Sequence, residues 1–134
     1  MGFLDWDEQY LTGIESVDNE HKAAADIINR LYELRDTNER SQITELLHVL
    51  FDETKAHFDN EERLMKEYKI FNYFSHKAQH DRLLRILKNF IAEFENNNKE
   101  LSEQFLFLLH DWMINHYKFH DGKMGRELVE KGAK

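Results

Sequence analysis

Apolar residues recur along this chain at steps of three and four, the period of an α-helix face, rather than at the period of two that marks a strand. Ala24, Ala25, Ile28, Leu31 and Tyr32 form one stripe. Asp18 ahead of it suits a helix N-cap, which predicts a first helix over about 18–35. Ile43, Leu46, Leu47, Leu50, Phe58, Leu64 and Met65 predict a second over about 41–67. The pattern breaks across Tyr68–Phe74. It resumes with Leu83, Leu84, Leu87, Phe90, Ile91 and Phe94, predicting a third helix over about 75–95. After a turn at Asn96–Lys99, Leu101, Phe105, Leu108, Leu109 and Trp112 predict a fourth over about 100–119. Residues 1–17 read as an extended arm offering Trp6, Tyr10, Leu11 and Ile14 for packing, and Gly122–Lys134 as a short extra helix or tail. The rods would be roughly 27–40 Å long at about 1.5 Å per residue. Four of them joined by short turns predict an all-α, up-down-up-down four-helix bundle, a single domain over 1–134.

Composition supports helices and narrows the chemistry. Pro is absent and Gly numbers only 5, so few positions forbid a helix. Cys is absent, which excludes disulfides, thiolate zinc sites, iron–sulfur clusters and Cys nucleophiles. The net charge of −8 is a poor match for nucleic acid or an anionic membrane. No apolar run approaches the roughly 18–20 residues of a membrane span, and the start MGFLDWDEQY lacks the basic and apolar regions of a signal peptide. The expected compartment is the cytoplasm.

The 8 His residues change the picture, because several fall on the apolar stripes. His21 extends the inner face of the first helix. Leu50, Thr54, His57, Glu61 and Leu64 share a face of the second, His76, His80, Leu83 and Leu87 a face of the third, and Leu109, Trp112 and His116 a face of the fourth. One inward His is ordinary. Four helices aiming imidazole at one core are not, since unpartnered buried polar rings cost about 1–3 kcal/mol each against a net stability of about 5–15 kcal/mol. Imidazole and carboxylate converging without thiolate is the donor set of a transition-metal site. The i, i+4 pairs His57/Glu61 and His76/His80 each stack two donors on one face. In the fourth helix spacing leaves two options. His120 is i+4 from His116, whereas Asp121 is i+5, about 140° further round an ideal helix, and reaches the same face only if the helix ends or bulges there.

The segments Val17-Asp18-Asn19-Glu20-His21, His57-Phe58-Asp59-Asn60-Glu61-Glu62, His76-Lys77-Ala78-Gln79-His80 and Trp112-Met113-Ile114-Asn115-His116 followed by Asp121 resemble hemerythrin. The similarity is strongest to the single-domain bacterial hemerythrins, and runs from Trp6 to about Met124 with the complete pattern His…HisxxxGlu…HisxxxHis…HisxxxxAsp. The resemblance implies a non-haem di-iron centre. Residue by residue, His76, His80 and His116 would hold one iron. His21 and His57 would hold the other, which keeps an open position. Glu61 and Asp121 would bridge the two irons together with an oxo or hydroxo group, and Asp121 is thereby preferred to His120. It further implies reversible O2 binding for storage or delivery, with O2 held as hydroperoxide on the two-His iron. On the states the resemblance implies, the bridge proton would move onto the dioxygen and leave the site's net charge unchanged, as a dry pocket favours. Phe58, Trp112 and Met113 are the candidate walls of the O2 pocket. Glu20, Asp59 and Gln79 stand near enough to support ligand imidazoles, although a solvated face is the simpler expectation for each. His48, His110 and His120 are expected at the surface or the bundle edge.

Such a protein is not an enzyme. Its ligand is O2, its recipient an oxygen-consuming enzyme, and its state a monomer or weak oligomer. The alternative is O2, redox or nitric oxide sensing, or peroxide and iron detoxification, at the same site. The 134 residues leave no room for a fused signalling domain, which favours storage or delivery. A ferritin-like di-iron protein needs two Glu-x-x-His motifs and only Glu45-Leu46-Leu47-His48 fits. No His-Glu-x-x-His supports a zinc protease. A metal-free helical interaction module is the remaining rival, separated by iron content.

Overall fold

A computed structural model describes residues 4, 11–35, 37–96 and 100–133. Its four-helix bundle is formed by α1 (Glu15–Leu34), α2 (Arg40–Glu67), α3 (Tyr73–Glu95) and α4 (Glu103–Asn115). A π-helical segment, His116–Asp121, carries α4 without a break into α5 (Gly122–Glu130). No helix among the described residues is long and apolar enough to cross a membrane.

The helix stripes build two apolar clusters, one on each side of a polar layer. The larger contains Ile28, Leu31, Leu47, Leu50, Leu83, Leu87, Leu106 and Leu109, with Phe90 stacked on Phe105 at 3.6 Å to join α3 and α4. The smaller, at the other end, contains Ile14, Val17, Met65, Ile70, Met124 and Leu128. Each of the first three helices passes from one cluster to the other through its inward His residues.

The bounds of α1, α3 and α4 differ from the sequence expectation, α3 beginning two residues early at Tyr73, whereas α2 ends at Glu67 as expected. Asp18 does not cap α1, which begins earlier, at Glu15 with Ile14 in the N-cap position. Gly13, at φ +88°, turns the chain, and Asp18 from inside the first turn accepts hydrogen bonds from Thr12 N (2.7 Å) and Thr12 Oγ1 (2.8 Å). Its charge also sits where the helix dipole favours an anion. The fourth helix starts at Glu103, where Ser102 Oγ accepts from Phe105 N at 3.2 Å, and does not stop near 119. Its buried stripe runs through Phe105, Leu106, Leu109 and Met113. Leu108 is therefore turned away and 45% exposed instead of facing inward. α2 ends as a Schellman motif: Lys69 adopts left-handed φ +56° and Ile70 N donates to Met65 O at 2.8 Å, packing Ile70 into the smaller cluster.

Of the expected arm, Trp6 and Tyr10 lie outside the described residues, as do 97–99 of the turn before α4. Ile14 is buried, but Leu11 is 43% exposed rather than packed. Leu4, absent from the sequence expectation, is buried and held to Asn29 by hydrogen bonds through both its backbone N–H and its carbonyl. Residues near Thr12 cross α5 at Gly125, where an added Cβ would lie 2.2 Å from the Thr12 carbonyl oxygen.

That crossing makes two glycines behave oppositely. Gly125→Ala should lower stability by about 1–3 kcal/mol, because backbone must move. Gly122→Ala meets only ordinary contacts at 3.6 Å and should raise stability by about 0.5–1 kcal/mol. Thermal unfolding of the two variants checks the pair.

Candidate metal centre

The polar layer gathers all seven sequence-predicted residues. His21, His57, Glu61, His76, His80, His116 and Asp121 are all buried, with Glu61 and Asp121 0% exposed. His21 comes from α1, His57 and Glu61 from α2, His76 and His80 from α3, and His116 and Asp121 from the two ends of the π segment. The π turn answers the spacing question. Its i to i+5 repeat stacks Asp121 over His116 as i+4 does in an α-helix, and it swings His120 to the surface.

Each carboxylate divides its oxygens between two groups of imidazoles. Glu61 Oε1 lies 3.1 Å from both His76 Nε2 and His80 Nε2, whereas its Oε2 lies 3.2 Å from His21 Nε2 and 2.5 Å from His57 Nε2. Asp121 Oδ1 lies 2.9 Å from His76 Nε2 and 3.0 Å from His116 Nε2, and its Oδ2 lies 2.9 Å from His21 Nε2. Two donor sets result. Glu61, His76, His80, His116 and Asp121 form one, His21, His57, Glu61 and Asp121 the other, and within each the donor atoms lie within 4.8 Å of one another.

Of these short approaches, His21 Nε2 and His76 Nε2 meet Glu61 with hydrogen-bond geometry, but the others do not all do so. Both Asp121 oxygens and His57 Nε2 are buried without a hydrogen-bond partner, despite the neighbours just described. His80 Nε2 and His116 Nε2 face each other at 3.1 Å. The outer ring nitrogens explain the arrangement. His57 Nδ1 contacts Glu20 Oε1 at 3.0 Å, and His80 Nδ1 contacts Glu62 Oε2 at 3.0 Å. An ionised carboxylate only accepts, so both Nδ1 atoms carry the proton and a neutral ring turns its Nε2 lone pair inward. His116 Nδ1 lies 3.1 Å from Gln79 Oε1, whose amide nitrogen faces His120 at 3.2 Å. Lone pairs converging from separate helices fit a metal ion, and the absence of thiolate with two carboxylates present favours a metal content of borderline hardness.

The electrostatics lead to the same requirement for positive charge. Burial alone would raise the Glu61 and Asp121 carboxyls, but the surrounding imidazoles outweigh it and hold both well below the usual carboxylate range. Burial likewise opposes charge on His57 and His76, yet Glu61, Glu20 and Asp121 raise them to about 10 and about 9. His116 goes the other way, lowered chiefly by burial. Without a cation, protons on His57 and His76 neutralise the buried carboxylates.

The surroundings are partly as expected. Phe58 stacks on His80 at 3.7 Å and, with Met113, lines a small cavity beside His57. Trp112 is not in that cavity; it stacks on His116 at 4.4 Å on the three-imidazole side. Glu20 and Gln79 face the buried imidazoles of His57 and His116 rather than only solvent, whereas Asp59 is exposed and pairs with Lys55. Glu62 was not among the expected supports. Nor was Tyr117, a buried ring stacked on His21 at 4.0 Å. Both stand next in sequence to predicted donors, and only the positions of neighbouring helices show that they turn inward. His48 is exposed beside Glu95, His110 lies next to Asp111 at the bundle edge, and His120 is exposed.

Comparison with known proteins agrees. A family described as "Hemerythrin HHE cation binding domain" matches residues 12–128. The bacteriohemerythrin of Methylococcus capsulatus is 28% identical over 117 residues, covering 87% of this chain and 89% of the relative. That of Pseudomonas aeruginosa is 30% identical over 121 residues, covering 90% and 78%. A crystal structure of wild-type hemerythrin superimposes with a TM-score of 0.89 at 28% identity, covering 94% of this chain and 98% of that one. A point variant of hemerythrin gives 0.91 at the same identity, covering 96% and 98%.

Removing one donor leaves the rest buried and unbalanced. His76→Ala and His116→Ala should each abolish stable metal binding, and His110→Ala should leave it unchanged, as measured by metal content after gel filtration. Stability of the metal-free protein should depend on pH with a definite sign. The raised His57 and His76 contribute fully below their ordinary 6.5 and lose that contribution as pH rises through about 9 to 10. The lowered Glu61 contributes above its ordinary 4.5 and loses that contribution as pH falls below it. Metal-free protein should therefore melt highest between these ordinary values and lose roughly 5 °C or more on going to pH 10. A melting temperature that climbs over the alkaline range would contradict the assignment.

Proposed function

The chain belongs to the hemerythrin family, and from that premise we propose that it binds O2 reversibly at a pair of iron ions, for oxygen storage or delivery. The observation that carries this reading is the unequal division of donors around two shared carboxylates, three imidazoles on one side and two on the other. His76, His80 and His116 would hold one iron, His21 and His57 the second, and Glu61 and Asp121 would bridge them. Bound there, a pair of ferrous ions would supply reducing electrons and an open coordination position for O2.

The chain's own residues provide the conditions for reversibility. Glu20 and Glu62 hold the protons of His57 and His80 on Nδ1 and so keep Nε2 directed inward. Phe58 and Met113 give the cavity beside His57 an apolar wall that discourages anions competing with O2. Phe58 and Trp112, stacked on His80 and His116, restrict those rings from rotating. The apolar clusters on both sides of the layer keep bulk water out. The recipient of the oxygen in this reading is an oxygen-consuming enzyme.

Anaerobic reconstitution with Fe(II), followed by cycles of O2 and vacuum under visible absorption, tests the proposal. A carrier should gain and lose its oxygenated spectrum over repeated cycles. Immediate, irreversible oxidation at first exposure would defeat the storage or delivery reading and favour sensing or detoxification.

A further inference from the structure

One turn before His57, α2 carries Thr54 inside the bundle, only 3% exposed. Its hydroxyl has no hydrogen-bond partner among the described residues, although a helical threonine has the carbonyl four residues back within reach. Native proteins resolve buried hydroxyls of this kind with a protein partner or an ordered water. Thr54 lines a cavity of about 10 Å³ together with His57, Phe58, Met113 and Tyr117. That is the size of one water molecule, and too small for a ligand larger than a diatomic. Tyr117 is in the same wall, its hydroxyl donating to Met113 Sδ at 3.2 Å.

We infer that this cavity is a binding site for a single water molecule, anchored by Thr54 Oγ1 with the Tyr117 hydroxyl in the same wall, and that O2 must displace this water to occupy the space beside His57. The displacement rests on the O2-binding reading; the water site does not. The apolar part of the wall, Phe58 and Met113, offers a water nothing, so Thr54 is the residue that sets the balance between water and an apolar diatomic. Glu20 and Glu53 line both this cavity and a surface groove between α1 and α2, where Ala23 and Ala56 leave room. Displacing a well-ordered water by a molecule that cannot reproduce its hydrogen bonds lowers affinity. Thr54 therefore weakens O2 binding and keeps it readily reversible.

The test compares iron-loaded wild-type protein with Thr54→Val, which keeps the shape without the hydroxyl, and Thr54→Ser, which keeps the hydroxyl. Crystal structures at a resolution that orders water should show one water within hydrogen-bond distance of residue 54 in wild type and Thr54→Ser, and none in Thr54→Val. O2 affinity should rise about threefold or more in Thr54→Val and stay near wild type in Thr54→Ser. A dry cavity in the wild type, or a water that persists in Thr54→Val, would overturn the site. Loss of the water with unchanged O2 affinity would overturn the displacement. If the protein fails to bind O2 at all, the proposed function falls while the water density still decides the site.

Discussion

Two carboxylates with no access to solvent dictate this structure. Glu61 and Asp121 are 0% exposed and lie between two apolar clusters. Each such ion costs several kcal/mol to bury after relaxation, a large share of the about 5–15 kcal/mol that holds a domain together. Here the offset comes from imidazoles at short range. The chain supplies five imidazoles from four directions, and each carboxylate oxygen is met by at least one Nε2 within 3.2 Å. Protons can serve on these rings, but the orphaned Asp121 oxygens and the inward lone pairs are arranged for cations.

The same constraint explains the most irregular piece of backbone. An unbroken α-helix from Glu103 onward would present His116 and His120 to the layer and send Asp121 to the side. One π turn from His116 to Asp121 exchanges them. The second buried carboxylate enters the layer, and His120 leaves for the surface beside Gln79. The helix then resumes as α5, which brings Met124 and Leu128 into the smaller cluster and closes the end of the layer. Gly125 in α5 lets the chain before α1 cross closely, so the irregular turn and the docking of that segment are parts of one arrangement.

The bundle and the donors on α1, α2 and α3 were legible in the sequence because they obey one helical period. His57 and Glu61, or His76 and His80, lie on the stripe that also carries Leu50 or Leu83, and burial follows from position alone. Asp121 breaks that period, so spacing by itself favoured His120, and only resemblance to a family favoured Asp121. Asp18 was misread as a cap because its partner, Thr12, lies in an irregular segment whose turn depends on Gly13. Leu108 was misplaced because the stripe of α4 is centred between Phe105 and Leu106. Glu62, Tyr117 and Thr54 share a limitation of a different kind. Their significance lies in what a neighbouring helix presents to them: His80 on α3 for Glu62, His21 on α1 for Tyr117, and for Thr54 a cavity partly walled by Met113 of α4. A one-dimensional pattern contains no such information.

The central claim is that Glu61 and Asp121 span two metal ions, one against three imidazoles and one against two. Anomalous scattering at the iron edge from crystals of the iron-loaded protein examines it directly. The account predicts two iron peaks in the polar layer, one beside His76, His80 and His116 and one beside His21 and His57, with both carboxylates contacting both. A single peak, or iron lying away from Glu61 and Asp121, would contradict it.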